Sequence, residues 1–451
     1  MESQILRWFL DSRKAPSVFS GSEIFRWLSK TASRFPLARK LGLRKELLSI
    51  GKWLLAGLLF SCIFVPRLPW GSIASAYSLD LRGEDLFLLI LGILFAALTT
   101  KKASLPEMPL VEKAFLGFLL AAEISILNGL YMRTIEYPLL SLFYLLKWVE
   151  YFLVFIITLR FTAGQREARF LLQAFFLLGI ALAVYGYWEH SFPQAKAAYP
   201  NYYRLFERFP FHGDANHIGG LLVLWIGFFT GLFLKAKDRS KQALFLAAIL
   251  FVFFPLIWTY SRKSYFALAG AILFSFFFPG NRKKLLLLTC LFIILGFLIP
   301  TRLSERLLDV GEAFTSVDPY HSSWAGNLSM WRESLWNFQQ FFLLGSGLAS
   351  RHRLFYESQY VLVLAETGLV GFSLFLFLCA TLIRQAIALF RLSLSPGENG
   401  ILLGWVIGFV GILIHNFSCV SWTVAKIAIP FWFLTAVALK PPNRKGPDEI
   451  R

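Results

Sequence analysis

The chain alternates long apolar runs with short polar connections over most of its length. Runs of about 20 apolar residues, enough to cross a roughly 30 Å hydrocarbon core, recur between residues 51 and 439. Because lipid offers the backbone no hydrogen-bond partner, such runs are expected to be helical. We predict about twelve transmembrane helices, at 51–66, 84–100, 110–128, 138–159, 168–188, 217–234, 242–260, 265–279, 284–300, 360–383, 400–416 and 422–439. The pattern is that of an all-α polytopic membrane protein.

The longest polar connection, residues 301–359, contains a different hydrophobic pattern. Six large apolar residues recur in it at intervals of four and three: Trp324, Leu328, Trp331, Leu335, Phe338 and Phe342. This spacing predicts one apolar stripe along a helix. Such an amphipathic helix is expected at a membrane surface, and the alternative is a cap that packs on the helix bundle.

The distribution of basic residues predicts the orientation of the chain. The net charge of +18 would suit nucleic acid, but Lys and Arg are unevenly placed, with 29 on the side of the termini and 13 on the other. The positive-inside rule therefore places both termini in the cytoplasm and the loop outside. The predicted parts are a basic amphipathic or partly disordered segment at 1–50, spans one to nine at 51–300, the extracytoplasmic loop at 301–359, spans ten to twelve at 360–439, and a cytoplasmic tail at 440–451.

A few polar residues stand out against this apolar background. Arg262 lies at the predicted outer end of the seventh span, where a positive charge requires a partner such as phosphate, or snorkels to the interface. Glu123 and Lys147 lie at comparable depths in neighbouring spans, which predicts an ion pair or, alternatively, a proton path.

All six histidines fall on the predicted outer side: His190, His212, His217, His321, His352 and His415. The spacing of His212 and His217 is not that of a helical metal site, so we predict no metal or other cofactor. The four cysteines lack paired spacing and are interpreted as small hydrophobic residues.

Four motifs, in a fixed order, resemble those of a known group. They are Asn216-His217-Ile218-Gly219-Gly220, then Thr259-Tyr260-Ser261-Arg262, then Trp331-Arg332 followed by Leu344-Gly345-Ser346-Gly347, and last Glu357-Ser358-Gln359-Tyr360 continuing to Glu366-Thr367-Gly368. They resemble the O-antigen ligase and polymerase superfamily, bacterial membrane glycosyltransferases that act on undecaprenyl-diphosphate-linked glycans. The resemblance covers residues 209–377.

The resemblance implies roles for ten residues. Glu357, or His352, is implied as the catalytic base. Four arginines are implied as ligands of the substrate diphosphate: Arg262, Arg332, Arg351 and Arg353. Four residues are implied to line the substrate: Asn216, His217, Ser261 and Tyr360. The chain departs from the family where ligases usually have His-Asn-x-Tyr in place of residues 357–360, and where they have an arginine in place of Asn327.

The implied function is transfer of a glycan from an undecaprenyl-diphosphate donor to an acceptor hydroxyl, on the outer face of the bacterial cytoplasmic membrane. The partners are this lipid-linked glycan, a lipid or glycan acceptor and membrane lipids, without nucleic acid. No nucleophile–base pair is visible, which favours direct displacement with inversion at the sugar. The four arginines could hold the diphosphate without a metal, so the implied transferase is metal-independent. A polymerase of lipid-linked repeat units stays open, as does a flippase or transporter of lipid-linked glycans. A transporter would place charges near mid-membrane and repeat its two halves.

Overall fold

The computed structural model describes residues 44–66, 68–74, 77–98, 109–162, 165–192, 205–206, 215–278, 282–298, 323–350, 357–392 and 395–440. Helices occupy most of these ranges. They are α1 (Arg44–Phe64), α2 (Gly83–Leu98), α3 (Pro109–Tyr131), α4 (Pro138–Phe161), α5 (Gln165–Ser191), α6 (Ala215–Lys235), α7 (Arg239–Trp258), α8 (Arg262–Ser275), α9 (Arg282–Leu298), α10 (Ser323–Gln340), α11 (Gln359–Phe390), α12 (Pro396–His415) and α13 (Ala425–Ala438). A 3-10 turn, Ser421–Thr423, precedes α13.

The predicted spans correspond one by one to helices α1–α9 and α11–α13. Within the described ranges, six helices are long and apolar enough to cross a membrane: α4, α5, α6, α7, α11 and α12. The apolar part of α1 and the whole of α13 are shorter. The helical, multi-pass membrane architecture is therefore confirmed, while the count of twelve spans stays a prediction.

A small β-hairpin joins α1 to α2. Strand β1 (Leu68–Ala74) pairs antiparallel with β2 (Tyr77–Leu81), and the register places Leu68 opposite Leu81. The connection is too short and too polar for a further span, and strand pairing satisfies its backbone groups. The all-α prediction therefore describes the spans but omits this hairpin.

Helix α6 lies at the centre of the bundle, and its closest packing is against α12. Glycines on the two helices face one another, and a methyl group added to Gly227 would lie 2.6 Å from the backbone nitrogen of Gly408. Gly231 approaches the backbone of Gly404 in the same way. Small residues thus bring the two backbones into contact, as in other packed transmembrane helices.

Helix α11 is broken at Gly368. This residue has φ 65° and ψ −169°, a conformation that strongly favours glycine. The turn after α10, which contains Gly345 and Gly347 with positive φ, fits into the break. Only residues without a side chain permit this approach, because a Cβ on Gly345 would collide with the Glu366 carbonyl group.

Hydrogen bonds fasten this turn to the broken helix. Ser346 N donates to Ala365 O at 3.0 Å, and Gly347 N donates to Glu366 O at 2.9 Å. The Glu366 carboxylate, itself buried, accepts from Ala349 N at 3.0 Å. Helix α3 contributes as well, since Asn128 Nδ2 donates to Gly345 O at 2.8 Å. The break therefore carries satisfied backbone groups and fixes the start of α11 relative to α10.

Helix α10 confirms the predicted amphipathic helix, but only part of its predicted apolar stripe is buried. The helix packs on α11 with Ser334 1% exposed and Trp331 half-buried. Three members of the predicted stripe remain 40 to 49% exposed: Leu328, Leu335 and Phe342. The helix thus caps the bundle with one edge and presents an apolar edge outward, so the two readings of the sequence are compatible.

Candidate functional site

The candidate site lies where α8 and α11 begin and α12 ends. Between α7 and α8 the chain reverses at Tyr260, which has φ 50°, an uncommon value for a residue with a side chain. Ser261 then adopts the extended backbone of an N-cap, and its N–H donates to Thr259 Oγ1 at 3.2 Å. Arg262 is therefore the first residue of α8, three residues earlier than the predicted start of that span. Its side chain is buried, with 8% exposure.

The next residue, Lys263, pairs with the predicted base. Lys263 Nζ donates to Glu357 Oε2 in an ion pair that joins the start of α8 to the residues just before α11. The lysine side chain is 17% exposed and the glutamate side chain 39%. Ser358, the N-cap of α11, follows directly and holds this end of the helix. The predicted residues His352, Arg351 and Arg353 lie outside the described residues.

His415 connects α12 to the start of α8 through hydroxyl groups. The side chain is fully buried, with Nδ1 2.8 Å from Ser421 Oγ and Nε2 3.3 Å from Ser264 Oγ. Ser264 Oγ donates in turn to Ser261 Oγ at 2.9 Å. A continuous chain of polar contacts therefore runs from the turn after α12 to the N-cap beside Arg262.

Cys419 connects a second histidine, His217, to this series of polar contacts. Burial raises the pKa of the Cys419 thiol, but charge interactions and hydrogen bonds with His217 and His415 outweigh it, so that pKa lies well below its usual range. His217 stands in the first turn of α6, which is thereby tied to the site. Among the residues that the structure describes, no group of three His, Cys, Asp or Glu is placed to hold a metal ion.

Two glycines allow α6 to approach these residues. A methyl group on Gly220 would lie 2.8 Å from His415 Cε1, and one on Gly219 would collide with Ser264 Oγ. The predicted motif at residues 216–220 is thus explained by close packing at its glycines. Asn216 and His217, beside them, are half-buried.

Two buried amides hold the turn between α12 and α13. Gln359 Oε1 accepts from Trp422 N at 3.1 Å, and Asn416 Oδ1 accepts from Ser421 N at 3.2 Å. These bonds fix the orientation of both amides. Gln359 Nε2 and Asn416 Nδ2 are then buried donors without an acceptor in the described part of the chain. Such donors require an acceptor oxygen, from ordered water or from a ligand.

The remaining predicted residues are placed differently. Tyr360 donates its hydroxyl to Leu413 O at 2.7 Å, so it fastens α11 to α12. Arg332 is exposed on α10, and no hydrogen bond or ion pair joins it to the other site residues within the described ranges. The structure therefore links Ser261, His217 and Glu357 to the surroundings of Arg262, but not Arg332.

The predicted pair of Glu123 and Lys147 is wrong. Lys147 Nζ lies 2.7 Å from Asp85 Oδ1 and 2.7 Å from Glu150 Oε2, whereas Glu123 is exposed. The depth of a residue along a span can be estimated from sequence, but its direction around the helix depends on packing. Here α2 brings Asp85 to the face of α4 that carries Lys147.

Several residues of the site were missed in the sequence. Ser264 and Cys419 look like ordinary small residues of apolar helices and loops, and no spacing marks them. Lys263 carries the signal that identified Arg262, because it is a second positive charge at the same helix start, on the side that the sequence predicts to be external. Its ion pair with a residue 94 positions away follows only from the fold.

The fold and the site together define a helical, multi-pass membrane protein with a buried, basic and donor-rich site at one end of its bundle. The sequence model of the O-Antigen ligase family matches residues 243–376, from α7 to the middle of α11. This range contains Arg262, Lys263, α10, the glycine turn and Glu357. Within residues 243–376 the chain is thus similar to the O-antigen ligase family, which supports the resemblance to the ligase and polymerase superfamily seen in its sequence motifs. A search of curated proteins found no match to the chain.

Proposed function

We propose that the chain transfers a glycan from undecaprenyl diphosphate to an acceptor hydroxyl, as an O-antigen ligase-like glycosyltransferase. The observation that carries this proposal lies within the matched range, where α8 begins with Arg262 and Lys263 and the second of these pairs with the Glu357 carboxylate. A lipid-linked sugar requires groups of this kind: cations for the leaving diphosphate and a base for the acceptor.

Arg262 is the proposed contact to the diphosphate. Its planar guanidinium stays charged at any working pH and can bind two phosphate oxygens at once. Its position in the first turn of α8 adds the positive end of the helix dipole to the same place. Stabilisation accelerates transfer only as far as it grows with the charge on the departing phosphate. Arg351 and Arg353 are proposed as further contacts, and Arg332, which is exposed on α10, as a weaker one.

Glu357 is the proposed general base, and His352 is the alternative. In the proposed step the acceptor oxygen attacks C1 of the sugar while the bond from C1 to the phosphate oxygen breaks. The acceptor proton passes to the Glu357 carboxylate, and undecaprenyl diphosphate leaves. One direct displacement inverts the configuration at C1, and no metal takes part. Asn216, His217, Ser261 and Tyr360 are proposed to shape the surrounding pocket, Tyr360 through its hold on α12.

We propose that this end of the bundle faces outward from the bacterial cytoplasmic membrane and that both termini are cytoplasmic. Support comes from the distribution of Lys and Arg along the sequence. Single cysteines at Ser240 and Gln340, both exposed, test this in a background without the four native cysteines. An impermeant thiol reagent added to intact spheroplasts should label the cysteine at 340 and spare that at 240; the opposite pattern would refute the orientation.

Deletion of the gene tests the function in cells. If the chain is a ligase, the surface glycan should lose its attachment, and undecaprenyl-linked glycan of full length should accumulate. A polymerase is the second candidate, favoured by a glutamate at 357 where ligases usually have histidine, and its deletion would leave single attached repeat units. If the chain is a flippase, its deletion would instead leave the lipid-linked glycan on the inner leaflet. Complementation by wild type but not by Arg262→Ala would support either transferase.

A further inference from the structure

Arg262 and Lys263 are consecutive in sequence but serve different parts of the site. Neighbouring residues on an α-helix point about 100° apart, so two adjacent basic side chains rarely reach the same group. Arg262 is 8% exposed and turned into the bundle, whereas Lys263 reaches across to Glu357 in front of α11. Of the two basic residues, Arg262 therefore has a buried guanidinium, and Lys263 has an ammonium paired with a carboxylate.

Glu357 needs such a restraint. It precedes the N-cap Ser358 and is not held by the helix, and its side chain is 39% exposed. A free glutamate side chain samples many rotamers, and fixing it costs side-chain entropy. In the described part of the chain, Lys263 holds Oε2, and Oε1 makes no hydrogen bond. The ion pair thus fixes the carboxylate through Oε2 and leaves Oε1 without a hydrogen bond to any described residue.

We infer that Lys263 is a positioning residue, which holds Glu357 by Oε2 so that Oε1 receives the acceptor proton. This inference rests on the proposed function. Lysine suits the task because its ammonium is a compact point charge, while an arginine fork tends to engage both carboxylate oxygens. Lys263 also ties the base to α8, the helix that begins with Arg262. The diphosphate contact and the base are thereby held by one rigid element.

The decisive experiment compares four variants of the full chain in nanodiscs, with a defined undecaprenyl-diphosphate-linked donor and its acceptor. Glu357→Gln is the reference for loss of the base. Lys263→Met removes the charge and keeps the length of the side chain. The exchange Lys263→Glu with Glu357→Lys restores an ion pair but moves the carboxylate to α8. Lys147→Met is the matched control, since this lysine is also paired with carboxylates, but between α2 and α4.

Lys263→Met should lower kcat by about 10 to 100-fold, the usual effect of a displaced catalytic group. The KM for the donor should change by less than about twofold, because the interaction acts in the transition state. The exchange variant should fold with a Tm close to that of wild type and stay as inactive as Glu357→Gln. Lys147→Met should lower the Tm while the folded protein keeps the wild-type kcat.

Full activity in Lys263→Met, or recovery of kcat in the exchange variant, would overturn the inference. The ion pair would then have a purely structural role. In either case an active wild type and an inactive Glu357→Gln would leave the proposed function intact. An inactive wild type would overturn the proposed function itself. If Lys263→Met does not fold, cysteines are placed at positions 263 and 357 and treated with a short bismaleimide in membranes. Failure of the two cysteines to cross-link would contradict the contact between Lys263 and Glu357.

Discussion

Two charged clusters of this bundle differ in the groups that surround their cations. Between α2 and α4, Lys147 lies 2.7 Å from both Asp85 and Glu150, and Arg82 lies 3.7 Å from the buried carboxylate of Glu84. At the start of α8, Arg262 is buried and the adjacent Lys263 pairs with the carboxylate of Glu357.

Different functions follow from this difference. The α2–α4 cluster contains more carboxylates than cations, and its lysine is shared by two of them, so its groups satisfy one another and join two helices. The α8 cluster combines a buried guanidinium with the amide donors of Gln359 and Asn416, which lack acceptors in the described residues. Buried amide donors that lack an acceptor among the described residues favour an anionic or oxygen-rich ligand. The α8 cluster is therefore the better candidate for substrate binding, and the α2–α4 cluster for stability.

The largest expected effect is on kcat, and it distinguishes Glu357 from Glu150. Glu357→Gln should lower kcat by about 10² to 10⁴-fold, the usual contribution of a general base, with donor binding unchanged. Glu150→Gln should lower the Tm without a comparable loss of kcat, because it removes a structural partner of Lys147. Turnover and thermal unfolding of both purified variants check this. A Glu357→Gln enzyme with most of the wild-type rate would transfer the role of base to His352.

The second comparison is between two arginines. Arg262→Lys keeps the charge but loses the fork, so transfer should fall by about 10²-fold, as for other lost transition-state donors. Arg332→Lys should change kcat/KM by less than about threefold, since Arg332 is exposed and interactions there are screened. Steady-state kinetics with the lipid-linked donor measure both. Equal losses would show that Arg332 reaches the diphosphate as directly as Arg262 does.

A smaller effect is expected from packing beside His415. Gly220→Ala places a methyl group 2.8 Å from His415 Cε1, and we expect it to destabilise the bundle by about 1 to 3 kcal/mol, as overpacking does. Gly296→Ala is the control, because its methyl group would meet no atom within 4 Å. Thermal unfolding of both variants in the same detergent checks the difference. A Tm equal to the control would mean that the ring of His415 moves freely, contrary to its two hydrogen-bonded contacts.

The sequence predicts the helices of this protein better than their contacts. Hydropathy places most helix ends within about four residues, because length and apolar content are properties of a single segment; the start of α1 and the end of α11 each differ from the prediction by seven residues. Spacing likewise predicts α10, and motif order predicts the matched domain. The break at Gly368 was not expected, since its stability depends on the turn that contains Gly345 and Gly347, and those contacts are not local in sequence.

The site was predicted in part for the same reason. Arg262 and Glu357 were found because they stand in recognisable motifs, and their proposed roles still await experiment. Lys263 and the contacts of His415 with Ser264 and Ser421 depend on which faces of α8, α11 and α12 meet. That choice is made by packing, as the misassigned partner of Lys147 shows.

The most direct test of the account is transfer by the purified protein in nanodiscs, with an undecaprenyl-diphosphate-linked glycan of known anomeric configuration and an acceptor present. We predict that one undecaprenyl diphosphate is released for each glycosidic bond formed, that the new bond has inverted configuration by NMR, and that Arg262→Ala abolishes both. Transfer with retained configuration would contradict direct displacement. Equal rates for wild type and Arg262→Ala, or no turnover of the donor by wild type, would contradict the site.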